Sequence, residues 1–278
     1  MKKTKLFIIL FPITLLLSFT GLSQSNTATI SLDASYGFGA FKNSVETFVN
    51  TELQDDIYKS QNKKFSLGSG PSLLANFSYS VSSFASVNLG FKYSFLAKAD
   101  FNEVIAIGGV ALEKNRLLSA NRFSLIPAFQ INTDNEKINT FIRLGVSINF
   151  TNQKLKETTE LDSNKMEYFW EYKGNPNLGL SVMWGLQYKL KSNVFATLSF
   201  TFENYTYTPH YAGIVEVRDN NRIEHSPNLL AIESEIDFNS WVEDQYSQNP
   251  DVDKPLQLPE QTFNYSNFSV SLGIVYVL

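Results

Sequence analysis

Residues 267–278, N-F-S-V-S-L-G-I-V-Y-V-L, end the chain. In an extended strand successive side chains point to opposite faces. Phe268, Val270, Leu272, Ile274, Tyr276 and Leu278 therefore share one side, and Asn267, Ser269, Ser271 and Gly273 the other. Large apolar residues on one face and small, mostly polar ones on the other is the pattern of a membrane-spanning β-barrel strand, apolar toward lipid and polar toward the lumen. A terminal strand with an aromatic near its tip is also what such a barrel needs to close.

Seven earlier segments keep the same period: residues 27–40, 67–79, 84–97, 122–131, 138–150, 178–190 and 194–203. Val87, Leu89, Phe91, Tyr93 and Phe95 alternate with Asn88, Gly90, Lys92 and Ser94, and Leu180, Val182, Trp184, Leu186 and Tyr188 with Gly179, Ser181, Met183, Gly185 and Gln187. The expected fold is all-β: a transmembrane antiparallel up-and-down barrel of eight strands. Its connections run long, short, long, short, long, short, long, as in outer-membrane barrels with short periplasmic turns and long external loops.

The two faces differ in volume as well as polarity. An eight-stranded barrel has a lumen just wide enough for side chains to fill, so its inward row must be small on average. Nine of the 14 glycines fall on that row: Gly37, Gly39, Gly68, Gly70, Gly90, Gly145, Gly179, Gly185 and Gly273. A soluble barrel would hide its aromatic rings, whereas here the rings take the outward row, so the surrounding solvent must itself be apolar. Aromatics gather toward the outside at Tyr36, Phe38, Phe95, Phe123, Phe150 and Phe202, and toward the periplasm at Tyr79, Phe84, Phe129, Tyr188 and Tyr276, as interfacial girdles do.

The first residues, M-K-K-T-K followed by an apolar run over residues 6–19 and a small, polar stretch, have the order of a secretory signal peptide. Cleavage is expected after Ser23, leaving residues 24–278 as the barrel domain. Without Lys2, Lys3 and Lys5, 20 basic residues face 27 acidic ones, a net charge of −7 that gives no sign of nucleic-acid binding. With no cysteine, lipoprotein anchoring and disulfides are excluded.

The external loops are expected to carry short helices. Across residues 41–66, Val45, Phe48, Val49, Leu53 and Ile57 recur at helical spacing, with Asn43 and Glu46 placed for a capping box. Residues 229–242 suggest a second helix able to dock on a partner. Residues 98–121 are expected to extend their flanking strands above the membrane, and residues 151–176 to form a hairpin across Asp162-Ser163-Asn164-Lys165. A ten-stranded barrel would need residues 213–225 to span, and Glu216, Arg218, Arg222 and Glu224 make that a poor lipid-facing pair.

Six charges fall on the inward row: Asp33, Lys92, Arg122, Arg143, Lys189 and Glu203. They read either as a selectivity filter or gate or as a hydrogen-bonded plug in a non-conducting barrel, and the narrow lumen favours the plug. The two histidines, His210 and His225, lie in the final loop, with Ser226 after the second; adjacency in sequence is no sign of a catalytic triad. That loop also holds 11 acidic residues but no calcium-loop spacing. No catalytic, cofactor or metal residues are assigned.

The signal peptide, the eight alternating strands and Tyr276-Val277-Leu278 at the terminus resemble the small OmpA/OmpX-like outer-membrane β-barrels of Gram-negative bacteria. Leu278 stands where that family usually ends in Phe. The resemblance implies an outer-membrane location, contact with outer-membrane lipid and lipopolysaccharide, and assembly by the outer-membrane insertion machinery. The expected role is structural, adhesive or partner-binding through the external loops, with an envelope or surface protein as the possible partner. The alternatives are a barrel subunit of a transport or secretion assembly, or a lipid-modifying enzyme.

Overall fold

A computed structural model describes residues 27–50, 58–107, 110–133, 137–161, 164–220, 222–224, 231–239 and 253–278. The expected signal peptide and cleavage site lie outside these residues. In chain order the elements are β1 (Ala28–Gly39), β2 (Asn43–Asn50), β3 (Tyr58–Phe65), β4 (Gly70–Ser80), β5 (Ala85–Phe95), β6 (Ala99–Ile107), β7 (Val110–Asn132), β8 (Ile138–Leu161) and β9 (Asn164–Gly174). They continue with β10 (Asn177–Lys191), β11 (Val194–Asn204), β12 (Thr206–Tyr207), β13 (Pro209–Asp219), β14 (Arg222–Glu224), a single helical turn α1 (Ala231–Ser234), β15 (Glu235–Asn239), β16 (Leu256–Pro259), β17 (Phe263–Asn264) and β18 (Asn267–Val277).

Eight of these strands close on themselves. β1 pairs β4, β4 pairs β5, and the chain of antiparallel partners runs through β7, β8, β10 and β11 to β18. β18 then returns to β1, with Thr29 opposite Val277 and Gly39 opposite Asn267. Closure leaves the barrel no free edge, so each spanning strand has a hydrogen-bonding neighbour on both sides. The barrel strands follow one another in sequence, as an up-and-down topology requires. Both described chain ends sit at the end with the short turns, where Leu278 N donates to Ala28 O at 2.9 Å and Val277 N to Asn193 O at 2.9 Å.

The alternation holds in three dimensions. Leu32, Phe91, Trp184 and Leu272 are exposed on the outside of the barrel, Leu272 to 64%, while Ser31, Asn88, Ser147, Thr197 and Ser271 are buried inside. With the outward row apolar around all eight strands, the barrel is a membrane-spanning one.

β7 and β8 run to 23 and 24 residues, far more than the roughly 9–11 that cross a bilayer. Their outer halves continue as a hairpinned sheet above the barrel: β6 pairs β7, β9 pairs β8, and β13 pairs β9. β2 and β3 lie beyond β6, and β15 and β16 beyond β13. The hairpin expected across residues 162–165 is present, with Leu161 opposite Asn164.

Helices on the loops are not what forms. The connection over residues 41–66 is a β-hairpin, β2 against β3, paired from Asn43↔Phe65 to Asn50↔Tyr58. The helical spacing of Val45, Phe48 and Val49 competes with a period of two at Val45, Thr47 and Val49, all β-branched, and β-branched residues favour strands. Leu53 and Ile57 lie outside the described residues. In the last connection, α1 is one turn of four residues that passes directly into β15. β13 and β14 belong to the external sheet through β9, so they add no spanning strands and the barrel stays at eight.

Gly70, where β4 begins, has φ of 137°. A Cβ there would stand 2.0 Å from the Phe95 carbonyl oxygen, so only glycine allows β4 to enter against β5.

Candidate functional site

The lumen is the first candidate, because it gathers the buried charges. Glu203 on β11 sits between two cations from the opposite wall: Lys92 Nζ on β5 lies 2.9 Å from its Oε1, and Arg122 Nη2 on β7 lies 2.6 Å from its Oε2. Arg122 also donates to Ser94 Oγ at 3.3 Å, and Asn267 Nδ2 to Glu203 Oε2 at 3.4 Å. Arg122 is 1% exposed, Glu203 2% and Lys92 4%. Such desolvation is tolerated only when charges are paired and hydrogen-bonded.

Nearer the short-turn end, Arg143 Nε on β8 donates to Gln130 Oε1 at 2.8 Å. Asp33 on β1 accepts from Thr197 Oγ1 at 2.8 Å and Ser31 Oγ at 3.1 Å, and is the carboxylate whose charge acts on Arg143. Five of the six predicted positions are thus buried in the lumen. Lys189 is exposed at the short-turn end, beside a register shift between Lys189 and Lys191.

The sequence reading missed an apolar waist. Leu74, Phe141 and Met183 pack together inside the lumen, and Ile126 joins Leu74 and Met183 around a cavity of about 10 Å³. That is room for about one water molecule. Of the four, only Met183 was placed inward from sequence, although following the alternation through β4, β7 and β8 turns Leu74, Ile126 and Phe141 inward as well.

Above the charges the mouth is covered. Tyr205, Tyr207 and Tyr265 form a buried cluster with Leu67, Leu96, Phe101 and Leu118. Tyr205 and Tyr265 stack at 5.5 Å between ring centroids, and the Arg122 guanidinium lies 4.4 Å from the Tyr205 ring centroid. Tyr265 OH donates to Gln153 Oε1 at 2.5 Å, and Tyr207 OH to the Tyr172 carbonyl at 3.3 Å. Burial pushes the Tyr207 and Tyr172 phenols up to about 12, so both stay protonated at neutral pH. The signal for this cap was available: Tyr205 and Tyr207 continue the inward row of Thr201 and Glu203.

On the outer side of the external sheet, Asp100, Glu113, Asn115, Lys156, Glu160 and Lys165 line a groove of about 300 Å³. Glu167 binds both lysines, at 2.8 Å from Lys156 and 3.1 Å from Lys165. Hydrogen bonding from Lys156, opposed by burial and reinforced by Lys165, holds its carboxyl below the usual range. His210 is exposed on β13, and His225 and Ser226 lie outside the described residues. Among the described residues no group of three or more His, Cys, Asp or Glu could hold a metal ion.

No protein-family model matches the chain, and no curated protein matches it in sequence. Among solved structures, the outer membrane protein OprG from Pseudomonas aeruginosa is similar at a TM-score of 0.45 and 10% identity, covering 91% of this chain and 96% of that one. Neisserial surface protein A is similar at a TM-score of 0.37 and 10% identity, covering 90% and 96%. The outer membrane protease OmpT from Escherichia coli is similar at a TM-score of 0.37 and 8% identity, covering 91% and 97%.

Proposed function

We propose that this chain is an integral outer-membrane protein that works as a closed scaffold, holding a β-sheet platform outside the cell for a structural, adhesive or partner-binding role. The observation that carries this reading is the filled lumen. The paired charges, the apolar waist and the tyrosine cap leave a mid-lumen cavity of only about 10 Å³, and a water-filled path needs a far wider barrel. What remains accessible is the external sheet, whose outermost strands are β3 and β16. The outer-side groove lined by Lys156, Thr158 and Glu160 continues the outward row of β8 above the lipid-facing Phe150, at the level where lipopolysaccharide saccharides would meet it.

Two measurements test the reading. Purified protein in a planar bilayer should show no single-channel conductance, and discrete open levels would replace the scaffold with a pore. In intact cells, removing residues 44–63, most of the β2–β3 hairpin, should abolish cross-links to an envelope or surface partner while leaving the barrel's heat-dependent gel mobility in place. Unchanged cross-linking would exclude that hairpin as the contact surface.

A further inference from the structure

We propose that the cavity between Lys92 and Arg143 is a binding site for one small monovalent anion of the halide class. Among the described residues the lumen buries three cations, Lys92, Arg122 and Arg143, against two carboxylates, Asp33 and Glu203. Glu203 divides its two oxygens between Lys92 and Arg122, so one positive charge in that cluster has no counter-charge. Asp33, held by Thr197 and Ser31, is the one other buried carboxylate among the described residues of the lumen and offsets Arg143. A net buried charge is costly in a lumen surrounded by hydrocarbon.

Lys92 and Arg143 both line the same cavity, Lys92 opposite Leu74 and Arg143 opposite Met183 in the ladders. The Lys92 ammonium has three donors and gives one to Glu203. Thr201 also lines the cavity, is only 4% exposed, and its hydroxyl has no hydrogen-bond partner among the described residues. A cavity bordered by two cationic side chains and an unpartnered hydroxyl offers donors to an anion rather than acceptors to a cation. Glu203 borders it as well, but with its oxygens engaged by Lys92, Arg122 and Asn267.

Size narrows the ligand. A cavity of about 10 Å³ admits roughly one water-sized occupant. Leu74, Ile126 and Met183 form its apolar side, and Ser35, Asn76, Ser181 and Ser271 complete the lining with Gly90. The size admits a monatomic anion while excluding sulfate, phosphate or a carboxylate.

The test uses the full folded chain in detergent, following the temperature at which the heat-stable gel band is lost. Sodium chloride and bromide are compared with sodium gluconate and sulfate at matched ionic strength. Once the site is filling, each tenfold rise in chloride should lift the midpoint by about 3–5 °C. Thr201→Val should shift the halide response to about tenfold higher concentration. Lys92→Met removes the surplus charge and should abolish the response. Crystals grown in bromide should show an anomalous peak between Lys92 and Arg143, a readout that does not depend on any variant folding. Identical midpoints in chloride and gluconate, or no anomalous peak at saturating bromide, would overturn the proposal in favour of a single water.

Discussion

At the scale of single residues, Glu203 is the pivot of the lumen. Its carboxylate is the only anionic group within ion-pair distance of either Lys92 or Arg122 among the described residues. Glu203→Gln therefore strands two buried cations rather than deleting one bond. Breaking a buried pair by removing one partner costs about 3–5 kcal/mol, and here the remaining charges also repel each other. The measurement is the urea midpoint of the folded protein in detergent micelles. A midpoint equal to the parent's would mean that water, not Glu203, carries the charge. The position was legible in the sequence as an inward charge on an alternating strand. Its partners were not, because Lys92 and Arg122 are 111 and 81 residues away in the chain and meet only through barrel closure.

At the scale of elements, the seam between β7 and β8 is interrupted within the barrel wall. Its ladder runs from Glu113↔Glu160 to Leu125↔Ile148, skips Ile126 and Pro127, and resumes at Ala128↔Gly145. On the other side of β7, Pro127 still pairs with Leu89. The missing proline N–H faces β8, leaving an acceptor of that strand unserved at a depth where lipid offers no substitute. Pro127→Ala supplies the donor, and we expect it to stabilise the barrel by about 1 kcal/mol, read as a later urea midpoint with slower amide exchange along residues 144–148. A destabilised variant would show that the interruption relieves strain that the ladder would restore. The outer half of the same strand system behaves differently with pH. Glu167 is held ionised below its ordinary range by Lys156 and Lys165, so the support it gives β9 is fully present above the unfolded carboxyl value of about 4.3 and is lost as pH falls through the lower folded value. Amide exchange in β9 should stay slow at pH 6 and quicken near pH 3, while Glu167→Gln should exchange quickly at both. A parent β9 equally protected at pH 3 would remove the ion pairs as its anchor. Sequence period found the strands but misjudged their company. Residues 43–50 carry both a helical and a strand period, and the ladder to β3 decides between them through pairing with a segment outside β2 itself.

At the scale of the whole molecule, two barriers stand in series along the barrel axis, and they are built from different materials. The outer one is aromatic: Tyr205, Tyr207 and Tyr265, braced by Gln153 and Arg122. The inner one combines the ion cluster with the Leu74, Phe141 and Met183 waist. The sequence predicted a filled barrel from the slenderness of its inward row, with glycine at 145, 179, 185 and 273. It did not reveal that this slenderness makes room for large partners: a Cβ on Gly185 would stand 2.5 Å from the Phe141 ring, and one on Gly273 2.1 Å from the Asp33 carboxylate. Barriers in series give an ordered expectation for conductance. Trimming the cap with Tyr205→Ala and Tyr265→Ala together should leave the barrel silent in a planar bilayer, since the waist still blocks the axis. Trimming the waist with Phe141→Ala and Met183→Ala should also leave it silent, since the cap remains. Only the fourfold variant should pass current, in small steps, because Lys92, Arg122 and Glu203 still narrow the path. Clear channel openings in either double variant would show that one barrier alone seals the molecule, and the lumen would then be a gated pore with a single gate.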